Sequence, residues 1–569
     1  MKKVLKDESG KRIHPYVPEL VNQLRKGEID RREFLRTTTL LGVSATAAYA
    51  MAGKITGESL VAPAQAQTPK KGGTLRASQR VQRMDDPATY DWVPMSNQTR
   101  AILEYIVVTG NDNVTRPYLA ESWEASDDLK TWTFNLNKGI KWSNGDAFGA
   151  DDVVHNFTRW LDPATGSSNQ GLFSAMTEEY DTGMKNDDGT AKMGKKMSTG
   201  AVEKVNDTTV RLHLNRAVLS IPENLFNYPT AIVHKAFDDM GADLSKNPIG
   251  TGPYSLGDFS VGERCQLKRR SEAYWGGEIY LDEILYLDHG DDPNAAINAL
   301  ESGQVDQVFE VPITQLQRAE GIKDVVVYDV VTAQTAVARM KVGLAPFDNQ
   351  KLRQALVAAT DHQKLLEVAY FGRGAPGEDH HVAPIHPEYF ALPMVKQDYN
   401  RAKALLAEAG YGSGIQLTLD VNNSSAWEVS AAEAWKAQLG PAGIDLQVNV
   451  MPGAQYWDIW TTTPLGLTTW THRPLGVMVL NLAYRTGVPW NESGFADAKF
   501  DALLDDASAT LDINERRKKM EGIEKYLQEQ AVFMQPLWRS VFTAAHKKVK
   551  NFGAHPTAYH LWHDLWLDA

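Results

Sequence analysis

Residues 378–386 concentrate side chains that could bind a metal ion. They are Glu378, Asp379, His380, His381 and His386. Carboxylate and imidazole groups are ligands that zinc and nickel accept in proteins. The same stretch lies within residues 372–393, which hold four prolines and three glycines, and neighbouring polar side chains on such a loop are more often solvated. We therefore expect no bound metal and keep a metal or metal-chelate carrier as an alternative.

A second group of side chains is suited to an organic ligand. Four tryptophans fall between residues 455 and 492, among polar side chains. The tryptophans are Trp457, Trp460, Trp470 and Trp490, and the polar residues are His472, Arg473, Tyr484, Arg485 and Asn491. An indole offers a flat apolar face and one N–H donor, so it stacks on ligands as readily as it fills a core. Both roles fit each of these tryptophans.

Motifs that mark common enzymes are absent from the sequence. It has no Walker phosphate loop, no Gly-x-Ser-x-Gly, no His-Glu-x-x-His and no paired cysteine motif. Residues 250–254, Gly-Thr-Gly-Pro-Tyr, lack the third glycine of a dinucleotide site, so they indicate a tight turn before a strand. We expect a protein that is not an enzyme and carries no cofactor. An exported hydrolase without recognisable motifs is the alternative.

The beginning of the chain resembles an export signal. Residues 30–36 read Asp-Arg-Arg-Glu-Phe-Leu-Arg, and a mildly apolar stretch follows from Thr37 to about Ala52. An arginine pair before such a stretch is typical of twin-arginine signals, and the stretch is too short and too rich in small residues for a good membrane span. With cleavage after Ala66, we predict a signal peptide over residues 1–66, the twin-arginine export machinery as a partner, and a periplasmic location. An attached N-terminal helix is the alternative.

Charge and cysteine content narrow the class of protein further. The 569-residue chain has a formal net charge of −12 at pH 7, which disfavours a nucleic-acid partner. Its one cysteine, Cys265, excludes an internal disulfide, so packing must hold the fold. The length allows two or three domains.

Strand and helix patterns alternate along the chain, which predicts an α/β fold. Half-buried strands are indicated at Trp132, Phe134 and Leu136, and at Leu417, Leu419 and Val421. Helices are indicated over Leu352–Ala359 with Asp348 as N-cap, from Asp398 to Gly410, and behind Asp512.

Several long motifs occur in a characteristic order. They are residues 120–124 (Ala-Glu-Ser-Trp-Glu), 130–136 (Lys-Thr-Trp-Thr-Phe-Asn-Leu), 139–146 (Gly-Ile-Lys-Trp-Ser-Asn-Gly-Asp), 247–254 (Asn-Pro-Ile-Gly-Thr-Gly-Pro-Tyr) and 402–411 (Ala-Lys-Ala-Leu-Leu-Ala-Glu-Ala-Gly-Tyr). From about residue 72 to about residue 565 the chain resembles the extracellular solute-binding proteins of the peptide/opine/nickel importer family. These motifs belong to the scaffold of that family and do not specify a ligand.

The resemblance implies a periplasmic binding protein-like α/β fold with two lobes and a hinge. Lobe I would be discontinuous, formed by residues 67–330 and 540–569, with 111–200 as an extra subdomain, and lobe II would span 331–539. A small-molecule ligand would lie between the lobes, and an ABC permease in the inner membrane would recognise the closed form. We expect a monomer.

The resemblance also implies ligand-binding residues. Peptide-binding members place contacts on the segment matching residues 91–94 and on the segment after a tryptophan matching Trp470. Those members carry an aspartate three residues after that tryptophan, which pairs with the amine of the ligand, whereas this chain carries Arg473. A guanidinium repels an ammonium group and pairs with carboxylate or phosphate. The predicted ligand-binding residues are Asp91, Trp92, Val93, Trp470, His472, Arg473, Trp490 and Asn491.

These residues predict a small polar organic solute with an anionic or hydroxyl-rich group, such as an opine, an amino-acid conjugate or a sugar derivative. A peptide whose amine is held elsewhere, for example by Asp91, is the alternative within the same family.

Overall fold

The structure, a computed structural model, describes residues 13–57, 68–185, 189–290, 292 and 294–568. The expected cleavage site at residues 64–66 lies outside the described residues. The helices are α1 (Val17–Lys26), α2 (Arg31–Leu40), α3 (Ala45–Thr56), α4 (Val93–Thr99), α5 (Ala150–Leu161), α6 (Ile221–Asn224), α7 (Ala295–Glu301), α8 (Leu316–Glu320), α9 (Gln350–Ala358), α10 (His362–Tyr370), α11 (Tyr399–Glu408), α12 (Ala426–Leu439), α13 (Gly453–Ile459), α14 (Gly476–Ala483), α15 (Ala498–Ser508) and α16 (Ile513–Gln530).

Strands are distributed along the chain among these helices. They are β1 (Thr74–Ser78), β2 (Val107–Thr109), β3 (Thr115–Pro117), β4 (Ala120–Ala125), β5 (Thr131–Leu136), β6 (Thr177–Lys185), β7 (Ala191–Met197), β8 (Val202–Asn206), β9 (Thr209–His213), β10 (Tyr254–Ser260), β11 (Arg264–Arg269), β12 (Glu283–Leu287), β13 (Gln307–Val308), β14 (Val325–Met340), β15 (Gly374–Pro376), β16 (Ile415–Asn422), β17 (Ile444–Met451), β18 (Leu465–Trp470), β19 (Phe533–Met534), β20 (Leu537–His546), β21 (Val549–Lys550) and β22 (Trp566–Leu567). Among the described helices, none is both long and apolar enough to cross a membrane.

The chain divides into two units. Unit 1 consists of Met1–Tyr328 and Thr543–Ala569, and unit 2 is Asp329–Phe542. The backbone therefore passes between the units twice, and unit 2 is an insertion in the sequence of unit 1.

Unit 1 contains a mixed sheet in the order β10-β11-β12-β1-β13, and the last residues of β20 pair with β13. Strand β1 runs parallel to both of its neighbours, so it lies inside the sheet. A smaller antiparallel sheet has the order β4-β5-β9-β8. Trp132, Phe134 and Leu136 of β5 are buried and alternate with half-buried residues, which confirms the predicted strand. Cys265 on β11 is a free, buried thiol.

Unit 2 contains the strand order β14-β18-β16-β17, with β19 paired to β14 and β15 to β20. The predicted strand at residues 417–421 is confirmed as part of β16. Strands β16 and β17 are parallel and are linked by α12, which is the crossover that a parallel pair requires. Parallel strands joined through helices confirm the predicted α/β class.

Local capping signals in unit 2 are mostly as predicted. Asp398 caps α11 by accepting a hydrogen bond from the Arg401 backbone N–H, and Asp512 caps α16. For α9 the predicted cap was wrong by one residue. The side chain of Asn349 accepts from the backbone N–H groups of residues 351 and 352, whereas the backbone N–H of Asp348 still belongs to the preceding turn, where it donates to Leu344 O.

Candidate functional site

Four tryptophans of unit 2 form a continuous strip that begins at the surface and ends in the interior. Trp457 lies on α13 and is 42% exposed, whereas Trp470 at the end of β18 is 4% exposed. Ring centroids lie 5.6 Å apart for Trp457 and Trp460, 6.3 Å for Trp460 and Trp490, and 5.8 Å for Trp470 and Trp490. All three pairs meet edge to face, which leaves indole faces turned away from the neighbouring ring. Of the predicted residues, the structure thus brings Trp470 and Trp490 together.

Trp470 is fixed by a buried acid, Glu492, which no local sequence pattern marks. Its indole Nε1 donates to Glu492 Oε1 at 2.9 Å, and Glu492 Oε2 accepts from Arg339 Nε at 3.1 Å and from Thr468 Oγ1 at 2.6 Å. The side chains of Arg339 and Glu492 are 0% and 3% exposed. Burial raises the pKa of Glu492, an effect that the Arg339 charge opposes. The carboxylate that holds Trp470 is therefore already compensated by a cation.

Arg339 also anchors the segment that carries Trp460. Its Nη1 donates to Thr463 O at 2.6 Å, and its Nη2 donates to Trp460 O. Strand β14 is thereby tied both to the acid beneath Trp470 and to the backbone of the aromatic strip.

His472 and Arg473 lie in the connection between β18 and α14, and both are buried. The Nδ1 atom of His472 accepts a hydrogen bond from the Ala333 backbone at 3.0 Å. Arg473 Nη1 donates to Thr471 Oγ1 at 2.5 Å and to His472 O at 3.1 Å. These contacts hold the guanidinium against residues 471 and 472, which follow Trp470.

Asn491 braces the loop after α14. Its side-chain Nδ2 donates to the carbonyls of Tyr484, Arg485 and Phe495, at 3.3, 3.0 and 2.6 Å. Its Oδ1 accepts from Ser493 Oγ at 2.8 Å. Asn491 therefore shapes the loop that presents Trp490.

The predicted residues of unit 1 lie on the loop that leads into α4. Asp91 is exposed and Trp92 is 40% exposed, whereas Val93, the first residue of the helix, is buried. Tyr228 Oη donates to Asp91 O at 3.2 Å. The loop is thus held by its backbone and by Val93, and it presents one carboxylate and one indole to solvent.

The histidine-rich stretch is buried, contrary to the expectation of solvated side chains. Glu378, Asp379, His380 and His381 are all at most 5% exposed. Glu378 accepts from Tyr389 Oη at 2.7 Å and from Trp538 Nε1 at 3.3 Å, and both donors belong to unit 2. The expectation was wrong because proline and glycine content indicates an irregular backbone and carries no information about its burial.

Hydrogen bonds engage one ring nitrogen of His381 and both ring nitrogens of His386. His386 Nδ1 accepts from the Ala383 backbone at 2.9 Å, so its Nε2 carries the proton that it donates to Arg473 O at 3.0 Å. His381 Nδ1 lies 2.8 Å from Tyr484 Oη, and burial lowers the pKa of this histidine well below its usual value. Across the part of the chain that the structure describes, no three His, Cys, Asp or Glu side chains are grouped so as to hold a metal.

Comparisons with known proteins agree with this architecture. The family model described as bacterial extracellular solute-binding proteins, family 5 Middle, matches residues 115–482. Heme-binding protein A of Haemophilus influenzae is 28% identical over 480 residues, which are 79% of this chain and 84% of that protein. The periplasmic oligopeptide-binding protein OppA of the same organism is 27% identical over 411 residues, 68% of this chain and 74% of that protein.

A solved structure has the same fold. The binding protein AgaA of A. tumefaciens R10, in complex with agropinic acid, superposes with a TM-score of 0.75 at 22% identity, over 87% of this chain and 99% of that one. The periplasmic binding protein-like fold that the resemblance implied is therefore confirmed. The chain belongs to the bacterial extracellular solute-binding proteins of family 5, the substrate-binding components of ABC importers.

Proposed function

We propose that this protein binds a small polar organic solute with an anionic group in the periplasm and passes it unchanged to an ABC permease. Opines, amino-acid conjugates and acidic sugar derivatives are the classes that fit. The lobes at residues 67–330 with 540–569, and at 331–539, would close over the solute, since contacts made by both favour the closed form.

The observation that carries this proposal is the charge beside Trp470. Peptide-binding members have an aspartate three residues after this tryptophan, and this chain has the buried guanidinium of Arg473. The acid that does contact Trp470 is Glu492, and it already pairs with Arg339. An incoming ammonium group would therefore meet a positive charge here, whereas a carboxylate or phosphate would be attracted by it.

A peptide is the second candidate, because unit 1 offers a different acid. Asp91 is exposed next to the exposed indole of Trp92, and these two side chains could hold an amine and an apolar side chain. The relative OppA is named as an oligopeptide-binding protein, which supports a peptide as the second candidate.

Native mass spectrometry of protein purified from rich medium, followed by identification of the co-purified solute, names the ligand directly. Calorimetry with that solute then tests the role of Arg473. If Arg473 pairs with a buried anionic group, Arg473→Ala should weaken binding by about 2–5 kcal/mol, at least about thirtyfold in Kd. Arg473→Lys should recover part of the loss, because it restores charge without the fork.

Arg485 provides the matched control for these variants. It is also buried in unit 2, but its Nε donates to Asn481 Oδ1 at 2.6 Å and its Nη2 to Asp505 Oδ1 at 2.5 Å. Arg485→Ala should lower stability and leave the affinity of the folded protein within about twofold. Unchanged affinity in Arg473→Ala, or loss of affinity in Asp91→Asn alone, would refute the anionic site and favour the peptide.

A further inference from the structure

Residues 13–57, hereafter the leader segment, fold into three helices in contact with one another. Helix α1 buries Val17, Leu20 and Leu24, and helix α3 buries Ala48 and Ala52 completely. Helix α2 begins at a complete cap, since Asp30 Oδ1 accepts from the Glu33 backbone N–H at 2.7 Å. The three helices of the leader segment therefore pack against one another.

The leader segment is also bound to the rest of unit 1. The indole Nε1 of Trp123, on β4, donates to Leu40 O at the end of α2, at 2.8 Å. Tyr49 Oη on α3 donates to Asp112 Oδ2 at 2.6 Å, and Arg116 Nη2 donates to Tyr49 Oη at 3.2 Å. We call these hydrogen bonds the docking contacts.

The docking contacts depend on a folded unit 1. Trp123 is 2% exposed, and its ring lies 6.3 Å from that of Phe134 on the neighbouring strand. The indole N–H is therefore aimed at the Leu40 carbonyl only when β4 and β5 are paired. An unfolded chain has no such donor in place, so docking is a property of the folded protein.

Docking separates the two parts of the predicted export signal. Arg32 is exposed and Arg31 is partly exposed, so the arginine pair stays accessible. The side chains of Phe34, Leu35 and Leu40 are 0%, 5% and 3% exposed, so the apolar residues of α2 are covered, whereas Ala47 on α3 is exposed.

We propose that the leader segment acts as a reversible cap, which presents its arginine pair while its docking on Trp123 covers the apolar residues of α2, so that export requires its release. This proposal rests on the twin-arginine export predicted above. A receptor that needs these apolar residues competes with the docking contacts, and its apparent affinity is its intrinsic affinity multiplied by the released fraction. Weakening the docking contacts should therefore speed up export.

Gly42 gives a way to weaken docking from the leader side alone. It follows α2 with φ +87°, and a Cβ at this position would lie 2.2 Å from Trp123 O and 3.3 Å from Trp123 C. Both are backbone atoms of β4, so they cannot swing aside. Gly27 follows α1 with φ +71° and has no atom within 4 Å of a Cβ. Gly42→Ala and Gly27→Ala thus carry similar backbone strain, and only the first disturbs docking.

Hydrogen exchange on the full-length chain, produced in the cytoplasm of an export-deficient host, tests the docking directly. Gly42→Ala should accelerate amide exchange in residues 37–56 at least tenfold, and Gly27→Ala should leave these residues as in the parent chain. Equal protection of residues 37–56 in all three proteins would overturn the proposal.

Pulse-chase measurement of conversion to the shorter exported form tests the regulatory role. Gly42→Ala should be converted at least twice as fast as the parent chain, and Gly27→Ala at the parent rate. If Gly42→Ala loses protection and is converted at the parent rate, the cap does not control export and the proposal is wrong. The double variant Arg31→Lys, Arg32→Lys should not be converted to the shorter form. Normal conversion of this variant would reject the twin-arginine route and, with it, the regulatory role. Whether or not the double variant is converted, the proposal on solute binding is unaffected.

Discussion

The buried pair of Arg339 and Glu492 should be the most sensitive point of unit 2. Glu492→Gln keeps the shape of the side chain and removes its charge. Arg339 would then be left inside the protein with the carbonyls of Thr463 and Trp460 as acceptors and with no compensating carboxylate. Because both side chains are at most 3% exposed, water cannot solvate the guanidinium that has lost its carboxylate partner.

Removing one partner of a buried ion pair costs about 3–5 kcal/mol, since the other charge stays desolvated. The lower end of this range applies if the two carbonyl acceptors of Arg339 carry part of the charge, because each hydrogen bond to a charged group contributes about 1.5–3 kcal/mol. We therefore expect Glu492→Gln to lower the free energy of unfolding by at least about 3 kcal/mol.

Urea unfolding followed by circular dichroism measures this loss, with an exposed ion pair of unit 2 as the control. Lys351 and Glu408 lie 3.1 Å apart and are each about half exposed, so Glu408→Gln should cost below about 1 kcal/mol. Arg339→Met combined with Glu492→Leu should cost less than the two single changes summed, since no charge is left unpaired. Equal costs for Glu492→Gln and Glu408→Gln would refute the reasoning.

Two further predictions concern pH and glycine. Burial raises the pKa of Glu524 to about 9, so the folded protein keeps this proton while the unfolded chain releases it above pH 4.5. The stabilisation from this carboxyl group is complete below that pH and declines by about 1.4 kcal/mol per pH unit toward pH 9. Glu524→Gln should therefore make the free energy of unfolding in urea less dependent on pH between pH 5 and 9. The same pH dependence in the variant and the parent protein would contradict this prediction. A Cβ on Gly250 would lie 1.9 Å from Ile102 O, whereas a Cβ on Gly522 in α16 would have no neighbouring atom within 4 Å. Thermal unfolding should show Gly250→Ala destabilised by about 1–3 kcal/mol or more and Gly522→Ala stabilised by about 0.5–1 kcal/mol; shifts of the same sign would be evidence against the close approach.

The parts of the fold that follow from neighbouring residues could be predicted from sequence. Strand β5 was indicated by alternation at Trp132 and Phe134, and the caps Asp398 and Asp512 by a short polar residue before an apolar period. Both signals act over a few residues, so one sequence contains them whole. The α9 cap fell one residue away because Asp348 and Asn349 are both good caps, and only backbone geometry chooses between them.

The site could be predicted only in part because its decisive contacts are long-range. Trp470 and Trp490 were recognisable as contact residues from their type. Glu492, which fixes Trp470, depends on Arg339 more than 150 residues earlier, and nothing local marks the two as partners. The burial of His381 has the same long-range origin: the aromatic rings next to it come from β18, from the residue after α14 and from β20.

The insertion of unit 2 within unit 1 sets the order in which a growing chain can finish folding. Residues 307 and 308 of β13 find their antiparallel partners only at residues 544 and 545, after the whole of unit 2 has been synthesised. During synthesis, the β13 edge of the unit 1 sheet therefore stays unpaired until the residues that follow unit 2 have been made. By then the strands of unit 2 are already available for pairing. Unit 1 can therefore pair β13 with β20 only after residue 545 has been synthesised, and truncation shortly before residue 543 should leave unit 2 folded and unit 1 exposed to proteolysis.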